Sequence, residues 1–480
     1  MKAKFTRFTL ALVLPLAAHG QDTQTGPLVA LDEQTIYRRA FEAVLWALPV
    51  ADVLVPRRAG NERGVSPSAM FITEQRPTGK LGVVMMTAQS PSVFGDLTTE
   101  SGPIVFEVPP RTDKAMFSGS IVDLWRLPLE DIGPDGADAG KGGKYLVLPP
   151  GYEGRNPEGY FVLRSRTYVI NALFRAVPAE SGDAGWAAAV AYAKTLKIYP
   201  LAEAAAPRPM AFADISRNAF PGTPRFDRSY FQHIDQLVQE EPVLEHNKAM
   251  MKLLAILGIE KGRPFRPDQR AGRILDRAAR DAQRDCIDRL ISMKSLMTTG
   301  SRFWPDRHWV MLGISHEVVD GSAQSLFSDR LDFATRAAVY YGGMGVQKRS
   351  GTHAICLLAT VDSNGNPLDG SKHYKILLPG EVPVNDSWEV IAHSLVTRSF
   401  IDTPANRIAL SSANPIFGTN RDGSIEIDIG PTAPPGRENN WISTRPGEPL
   451  AVWLRFNGSG KRIIEKRWVA GDLVEVKGGT

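Results

Sequence analysis

The stretch 420–431, NRDGSIEIDIGP, shows the pattern that recurs through the C-terminal third of the chain. Asp422 and Gly423 suit a tight turn, and the isoleucines that follow alternate with acidic residues, which is the period of a half-buried β-strand. The same alternation recurs in Tyr374, Ile376 and Leu378, and in Val452, Leu454 and Phe456. Short alternating strands separated by turns predict a sandwich-like or jelly-roll-like β domain over residues 336–476.

The N-terminal part of the chain carries a second set of strand signals. Residues 81–86, 104–108 and 161–170 are short apolar runs, separated by segments rich in glycine, proline and threonine. Such runs, bounded by turn residues, are typical of strands. They predict another β domain over residues 30–200.

Helical signals surround these strands. Apolar residues repeat at helical spacing between Asp32, a candidate N-cap, and Pro49, which predicts a first helix that ends at Pro49. The region 201–335 holds the clearest helical stripe, formed by Leu275, Ala279, Ala282, Cys286, Leu290 and Met293. We therefore predict a mainly β fold with a helical connection (α+β), in which helices bridge two β-sandwich or jelly-roll-like domains.

The first residues have the order of an export signal. Lys2, Lys4 and Arg7 precede an apolar run that small residues follow, which is typical of a signal peptide over residues 1–20. The run is shorter than the roughly 20 residues that span a bilayer. We expect cleavage near Gly20 and a periplasmic or secreted protein without a transmembrane segment.

Bulk composition narrows the classes of partner. The 480 residues carry 56 basic and 52 acidic side chains, so the formal net charge is only +4. This near balance gives no general attraction for nucleic acid, and we predict no nucleic-acid partner. Cys286 and Cys356 stand in apolar segments without zinc-site spacing, which favours two buried thiols, although export would also permit a disulfide.

Motifs for metals and cofactors are incomplete. Residues 316–320, HEVVD, lack the second histidine of a zinc protease motif, and residues 140–144, GKGGK, lack the spacing of a phosphate loop. Asp362, Asn364 and Asn366 offer oxygens to calcium, but a hairpin turn explains the same residues. We predict no metal site and no cofactor.

Aromatic and basic residues cluster around a loop rich in glycine and proline at residues 131–159. Trp125, Lys144, Tyr145 and Arg164 are of the types that stack on sugars or clamp anions. They are candidate ligand-binding residues. The alternative is that they pack and cap a complicated loop.

Several long segments resemble a known pair of domains. Residues 123–154 are similar to the domain of unknown function twelve fifty-four, which occurs with domain twelve fourteen in bacterial envelope and secreted proteins. The second domain is matched by NGNPLDGSKHYKILLPGEVPVNDSW, TRSFIDTPANRIALSS, NRDGSIEIDIGP and NNWISTRPGEPLAVWLRF, in that order. Three further candidate ligand-binding residues lie in these segments: Asp369, Arg398 and Trp441. The resemblance implies two β-sandwich or jelly-roll-like domains and no established reaction.

The sequence departs from that family pattern at two places. Residues 90–95, SPSVFG, stand where many members carry Asn, Thr and Tyr. Trp388 is followed by Glu389 and Val390, where the family usually continues with a Ser/Thr-rich strand. If the polar groups of the first segment line the family's site, this chain binds a different ligand or binds less.

Two functions remain in competition from the sequence. The first is a non-enzymatic protein that binds an extracellular glycan, an envelope polymer or a small anionic ligand. The second is a secreted hydrolase or lyase with a site between the two β domains. Folds of this class host both functions, so the fold does not decide between them.

Overall fold

The structure is a computed structural model that describes residues 32–84, 86–292, 302–311, 333–343, 348 and 354–476. The helices in these ranges are α1 (Glu33–Asn61), α2 (Gly182–Ala193), α3 (Tyr230–Glu240), α4 (Lys248–Ile256), α5 (Gln269–Ser292), α6 (Phe333–Tyr341) and α7 (Lys461–Ile464). The predicted signal peptide, Met293 of the helical stripe and the 316–320 motif lie outside the described residues.

The strands fall into an N-terminal and a C-terminal set. The first set is β1 (Met70–Ile72), β2 (Leu81–Val83), β3 (Ser92–Thr98), β4 (Ile104–Val108), β5 (Ala115–Asp123), β6 (Pro128–Ile132), β7 (Gly143–Leu148), β8 (Phe161–Arg164), β9 (Val169–Pro178), β10 (Lys197–Pro200), β11 (Phe212–Asp214) and β12 (Phe220–Gly222). The second set is β13 (Ala354–Ala359), β14 (Tyr374–Leu378), β15 (Val384–Ser394), β16 (Ala409–Ser411), β17 (Ile425–Gly430), β18 (Trp441–Ser443), β19 (Leu450–Ser459) and β20 (Val474–Glu475).

Two sheets build the N-terminal β domain. Their strand orders are β11-β1-β3-β9-β5-β6 and β10-β4-β7-β8, and a short ladder pairs β12 with β2. Side chains from both larger sheets, such as Phe117 of β5 and Phe106 of β4, are buried in one shared core. Because β11 pairs in parallel with β1, the chain returns to this domain after residue 200.

Helix α1 is longer than the sequence predicts. Its N-cap is confirmed, because the Asp32 carboxylate accepts a hydrogen bond from the Thr35 amide at 2.9 Å. The predicted end at Pro49 is wrong, since the helix continues through Pro49 and Pro56 to Asn61. Most residues of its second half are buried, so tertiary packing compensates for the hydrogen bonds that the prolines cannot make.

The helices gather around α1. Helix α5 packs along it, and α3, α4 and α6 contact it as well. The predicted stripe is confirmed for the described part of α5, where Leu275, Ala279, Ala282, Cys286 and Leu290 are all buried. None of the helices in the described ranges combines the length and hydropathy that crossing a membrane requires.

The C-terminal β domain also contains two sheets, with strand orders β13-β19-β15-β16 and β18-β17-β14-β20. The alternation at 420–431 is confirmed in β17, where Ile425, Ile427 and Ile429 point into a core that both sheets share. Asp428, on the other face, is buried as well, because Arg437 pairs with its carboxylate at 2.5 Å. The Asn-Gly turn also forms, with Gly365 at a φ of +81°.

Candidate functional site: a cleft between the two β domains

Part of one face of a C-terminal sheet is polar and lies against the N-terminal domain. In strands β15 and β19, Val390 and Leu454 face the C-terminal core, while their chain neighbours Glu389 and Arg455 lie on the opposite face. These two charged residues are direct partners in the ladder, and both are buried. Their closest charged atoms, Arg455 Nη1 and Glu389 Oε2, are 3.6 Å apart. A buried ion pair on this face marks it as a domain contact.

Residues 86–90 of the N-terminal domain cover that face. The Glu389 carboxylate accepts hydrogen bonds from the Thr87 hydroxyl at 3.0 Å and from the Ala88 amide at 2.8 Å. Burial raises the pKa of Glu389, and the neighbouring Arg455 opposes that rise. Charge-assisted hydrogen bonds therefore dock this segment on the C-terminal sheet.

A cleft of about 530 Å³ opens beside this contact, and both β domains line it. Its N-terminal wall is formed by Gln89, Ser90, Arg111, Thr112, Asp113, Ala115, Met116, Val177, Pro178, Ala179, Glu180 and Ser181. Its C-terminal wall is formed by Asn385, Asp386, Ser387, Ala413 and Asn457. Ser90 belongs to the first segment in which the sequence departs from the family pattern.

A buried amide in the cleft wall lacks a partner for its nitrogen. Gln89 is 2% exposed, and its side-chain oxygen accepts hydrogen bonds from the Ser387 hydroxyl at 3.3 Å and from the Asn457 amide. The Gln89 Nε2 atom has no hydrogen-bond partner among the described residues. An unsatisfied buried donor costs roughly 1–3 kcal/mol. An acceptor atom of a ligand that reached this donor would recover that free energy.

The charges of the cleft are mainly negative. One basic side chain, Arg111, and three acidic ones, Asp113, Glu180 and Asp386, line it, and all four are exposed. The remaining polar lining consists of hydroxyls and side-chain amides, such as that of Asn385. This composition favours a neutral, hydroxyl-bearing ligand over an anion, because an anion would meet an excess of negative charge.

Hydrogen bonds between the two domains border the cleft. The Gly182 amide donates to the Ala413 carbonyl at 3.0 Å, and the Ser181 hydroxyl donates to the Ser412 carbonyl at 3.3 Å. Ser181 and Ala413 are themselves part of the lining. The two walls are thus tied together at the cleft edge.

A second contact that involves both β domains leaves no open cleft. We call it the closed joint, and it consists of Asp52, Arg126, Arg398, Tyr340 and Tyr341. The Asp52 carboxylate on α1 accepts two hydrogen bonds from the Arg398 guanidinium, at 2.6 and 2.7 Å, and one from Arg126 at 3.1 Å. Arg398 also donates to the main-chain carbonyls of Tyr340 and Tyr341, at 2.8 and 3.0 Å. Each nitrogen of its guanidinium therefore donates at least one hydrogen bond.

Both arginines of the closed joint have an unusual backbone conformation. Arg126 and Arg398 each have a φ of +59°, in the left-handed region that residues other than glycine rarely adopt. Burial lowers the pKa of Arg398, but the Asp52 carboxylate outweighs that effect, so the pKa is raised. The arginine stays charged inside the protein.

The predicted ligand-binding residues occupy several separate places, and none of the seven lines the cleft. Trp125 is 2% exposed and packs edge-on against Trp46, with the Arg336 guanidinium over its ring. Tyr145 is buried in the N-terminal core against Phe161. Neither ring has an open face in this structure, and the proposed ligand role of both stays a prediction.

The other predicted residues differ in exposure. Lys144 and Arg164 are exposed on the neighbouring strands β7 and β8, and Arg164 donates to the Tyr152 carbonyl at 3.4 Å. Asp369 accepts from the Ser371 amide at 2.7 Å, and buried Trp441 donates to the Gly430 carbonyl at 2.9 Å. Arg398 belongs to the closed joint. Their ligand roles stay predictions.

Metal chemistry finds no support in the described parts of the chain. There, no group of three or more His, Cys, Asp or Glu side chains is placed to hold a metal ion. Asp362, the calcium candidate, instead accepts hydrogen bonds from the amides of Asn364 and Asn366 at 2.8 and 2.9 Å. Both cysteines, Cys286 and Cys356, are free.

Sequence reasoning missed the residues of the cleft. Gln89, Asn385 and Asn457 were not predicted, because isolated polar residues near strand ends give no motif. One signal was present, namely Glu389 inside residues 388–392 of β15, which are apolar apart from this glutamate. A lone charge at such a position indicates a buried partner from another part of the chain.

Comparison with known families finds two separate matches along the chain. The family described as Protein of unknown function (DUF1254) matches residues 70–200, and Protein of unknown function (DUF1214) matches residues 353–461. The chain belongs to the proteins that carry this tandem pair. In this tandem-domain protein the cleft lies between the two matched regions, since every one of its lining residues comes from one or the other.

Two solved structures are similar to the tandem-domain protein. The VPA0106 protein from Vibrio parahaemolyticus is 15% identical, with 92% of this chain and 100% of that chain covered and a TM-score of 0.54. A putative uncharacterized protein from Burkholderia cenocepacia is 12% identical over 94% of this chain and 96% of its own, with a TM-score of 0.36. No curated protein matches the chain. The first of these likenesses supports the fold alone.

Proposed function

We propose that the protein binds a neutral, hydroxyl-rich extracellular ligand, such as a segment of a glycan, in the cleft between its two β domains. The observation that carries the proposal is the cleft itself, whose walls are polar, come from both domains and include the buried Gln89 donor without a partner. A volume of about 530 Å³ is within the range of small-molecule sites.

The chemistry of the lining supports a sugar-like ligand. Amides and carboxylates offer the donors and acceptors that hydroxyl groups need, while Met116, Val177 and Pro178 supply apolar contact area. The acidic excess disfavours the small anionic ligand that was an alternative from the sequence. Recognition in this cleft would rest on hydrogen bonds, since its lining contains no aromatic ring among the described residues.

The proposal includes export of the protein from the cytoplasm and a jelly-roll-like class for both β domains. Residues 1–20 have the order of a signal peptide, which would place the cleft in the periplasm or outside the cell. The alternating strands and the resemblance of both domains support a jelly-roll-like class. Glycans are abundant ligands in that location.

Thermal-shift measurements of the mature protein with a panel of neutral oligosaccharides test this function. A ligand that binds only the folded state raises the melting temperature. Asn385→Ala and Asp386→Asn change exposed groups of the cleft wall. We expect each variant to weaken binding by about tenfold, because each removes one or two hydrogen bonds.

Matched controls make the experiment specific. Asn156→Ala and Asp306→Asn remove the same chemical groups from exposed positions outside the cleft, and they should leave the shift unchanged. A panel that produces no shift, or a shift that the cleft variants and the controls share, would contradict the proposal.

A hydrolase is the second candidate, because three carboxylates line the same cleft. Glycoside hydrolysis uses a pair of carboxyl groups, one as acid and one as base or nucleophile. An oligosaccharide that shifts the melting temperature should then be incubated with the protein and its reducing ends counted. Cleavage that Asp386→Asn or Glu180→Gln abolishes would favour the enzyme, and an intact ligand would favour a binding protein.

A further inference from the structure

A second hollow lies between the start of α1 and the first half of α5, and fewer acidic residues line it than line the cleft. It has a volume of about 280 Å³ and is lined by Glu33, Gln34, Tyr37, Arg270, Arg273, Ile274 and Arg277. Three arginines face one glutamate in this lining, so its charge is opposite in sign to that of the cleft. We call it the arginine hollow.

The three arginines are held differently. Arg270 donates to the Glu33 carboxylate at 3.0 Å, and the Arg277 guanidinium lies 4.8 Å from the centre of the Tyr37 ring. Arg277 also approaches the Asp281 carboxylate at 3.6 Å. Arg273 stands between them on α5, is exposed, and has no ion pair or hydrogen bond with any described residue.

Stacking and pairing fix two guanidinium groups beside a third that is free to bind. Guanidinium groups present fixed forks of N–H donors that match the oxygens of a phosphate, and a preorganised fork loses little entropy on binding. The hydroxyl of Tyr37 is already committed, because it donates to Asp281 at 2.9 Å. The positively charged donors of the hollow therefore belong to arginine, and the side-chain amide of Gln34 adds a neutral donor.

We propose that the arginine hollow binds a phosphate group, at a site separate from the inter-domain cleft. Arg273 and Arg277 contact the phosphate oxygens, and Arg270 with Glu33 positions the rim. The phosphate is carried either by a small soluble molecule or by a lipid headgroup at a membrane surface, since both present the same oxygens. The site is independent of the neutral ligand proposed for the cleft.

Two probes distinguish these sources. Binding of inorganic phosphate is measured by calorimetry at low salt. Binding to phosphatidylglycerol vesicles is measured by co-sedimentation, with phosphatidylcholine vesicles as the neutral control. The test variant is Arg273→Gln with Arg277→Gln. The matched control is Arg280→Gln with Arg284→Gln, which removes two exposed arginines at the same spacing on α5 but outside the hollow. Arg273→Gln alone, which breaks no contact with a described residue, guards against a folding defect.

We expect the test variant to weaken phosphate binding at least about tenfold, and the control variant to bind like the natural protein. Phosphate binding without vesicle binding indicates a soluble ligand, and binding to phosphatidylglycerol vesicles that the test variant loses indicates a headgroup. Absence of binding to both probes overturns the proposal.

Equal losses of binding in the test and control variants overturn it too, because they would show general attraction to a basic helix. The test variant should show the same rise in melting temperature with oligosaccharide as the natural protein. A failure of phosphate binding can then be told apart from a failure of ligand binding in the cleft.

Discussion

The two β domains meet in two ways, and the polar groups at each place are used differently. In the closed joint, buried Asp52 and Arg398 pair with each other, and Arg398 also donates to two main-chain carbonyls. In the cleft, Asn385 and Asp386 are exposed, and the buried Gln89 nitrogen has no described partner. Buried and paired polar groups hold the architecture, whereas a ligand can reach the exposed polar groups of the cleft.

This difference separates two explanations for a polar residue at a domain boundary. A buried and fully paired charge is strongly destabilising to remove on one side only. An exposed polar group that lines a cleft contributes little to folding, because water already satisfies it. The closed joint should therefore respond to substitution in stability, and the cleft in binding.

The largest effect is expected from Arg398→Ala, which leaves the Asp52 carboxylate buried with only Arg126 beside it. Loss of one partner of a buried ion pair costs about 3–5 kcal/mol, which chemical denaturation would detect. Arg208→Ala is the control, because Arg208 is 81% exposed in its pair with Glu203, and solvent screening should make its loss far less costly than that of Arg398. Equal costs at the two sites would show that the joint does not hold the domains.

The next effect is a binding loss without a stability loss. The combined variant Asn385→Ala with Asp386→Asn should bind a cleft ligand about 10–100-fold more weakly, at roughly 1.4 kcal/mol per tenfold change. Its denaturation midpoint should stay close to that of the natural protein, because both side chains are exposed. A clear fall in the midpoint would place these residues with the joint, and the contrast between the two contacts would fail.

A smaller effect concerns pH at Asp123, which precedes the loop that presents Arg126. Burial raises the pKa of Asp123 to about 6, against hydrogen bonds from the Leu127 and Trp125 amides and the charge of Arg166. A raised pKa means that the folded state holds the proton longer, so this stabilising contribution is full below about pH 4 and is lost as the pH rises through 6. Asp123→Asn should remove that decline, about 1.4 kcal/mol per pH unit.

The pKa of Asp422 is shifted in the opposite direction from that of Asp123. Hydrogen bonds from the Ser424 hydroxyl and amide lower the pKa of this exposed turn carboxyl. Its contribution is present above the unfolded pKa and is lost as the pH falls. Asp422→Asn should therefore change stability only toward acidic pH. The assignment of the decline to Asp123 would be wrong if Asp123→Asn kept the slope between pH 4 and 6.

Local patterns predicted much of the fold. The alternation at 420–431, the α5 stripe and the Asp32 cap all describe short-range order, and each is present in the structure. The end of α1 was mispredicted because Pro49 has a strong local effect, which long-range burial overrides. The coarse fold, a mixture of helices with strands in several sheets, followed from such patterns.

The cleft was beyond the reach of the same reasoning. Gln89 and Asn457 are far apart in the chain, and only the docking of two domains brings their amides together. Trp125 and Tyr145 were chosen as aromatic residues near a glycine-rich loop, but sequence cannot distinguish a ring on a surface from one in a core. Exposure depends on contacts between distant segments, and single residue types do not encode it.

Hydrogen–deuterium exchange tests the central claim most directly, because the cleft has one wall from each domain. A neutral oligosaccharide that raises the melting temperature should slow amide exchange both at residues 111–113 and 179–181 and at residues 385–387, which line opposite walls. We predict protection of both walls at once, with no change at residues 144–164. Protection confined to one domain, or present only at residues 144–164, would contradict a shared site between the two domains.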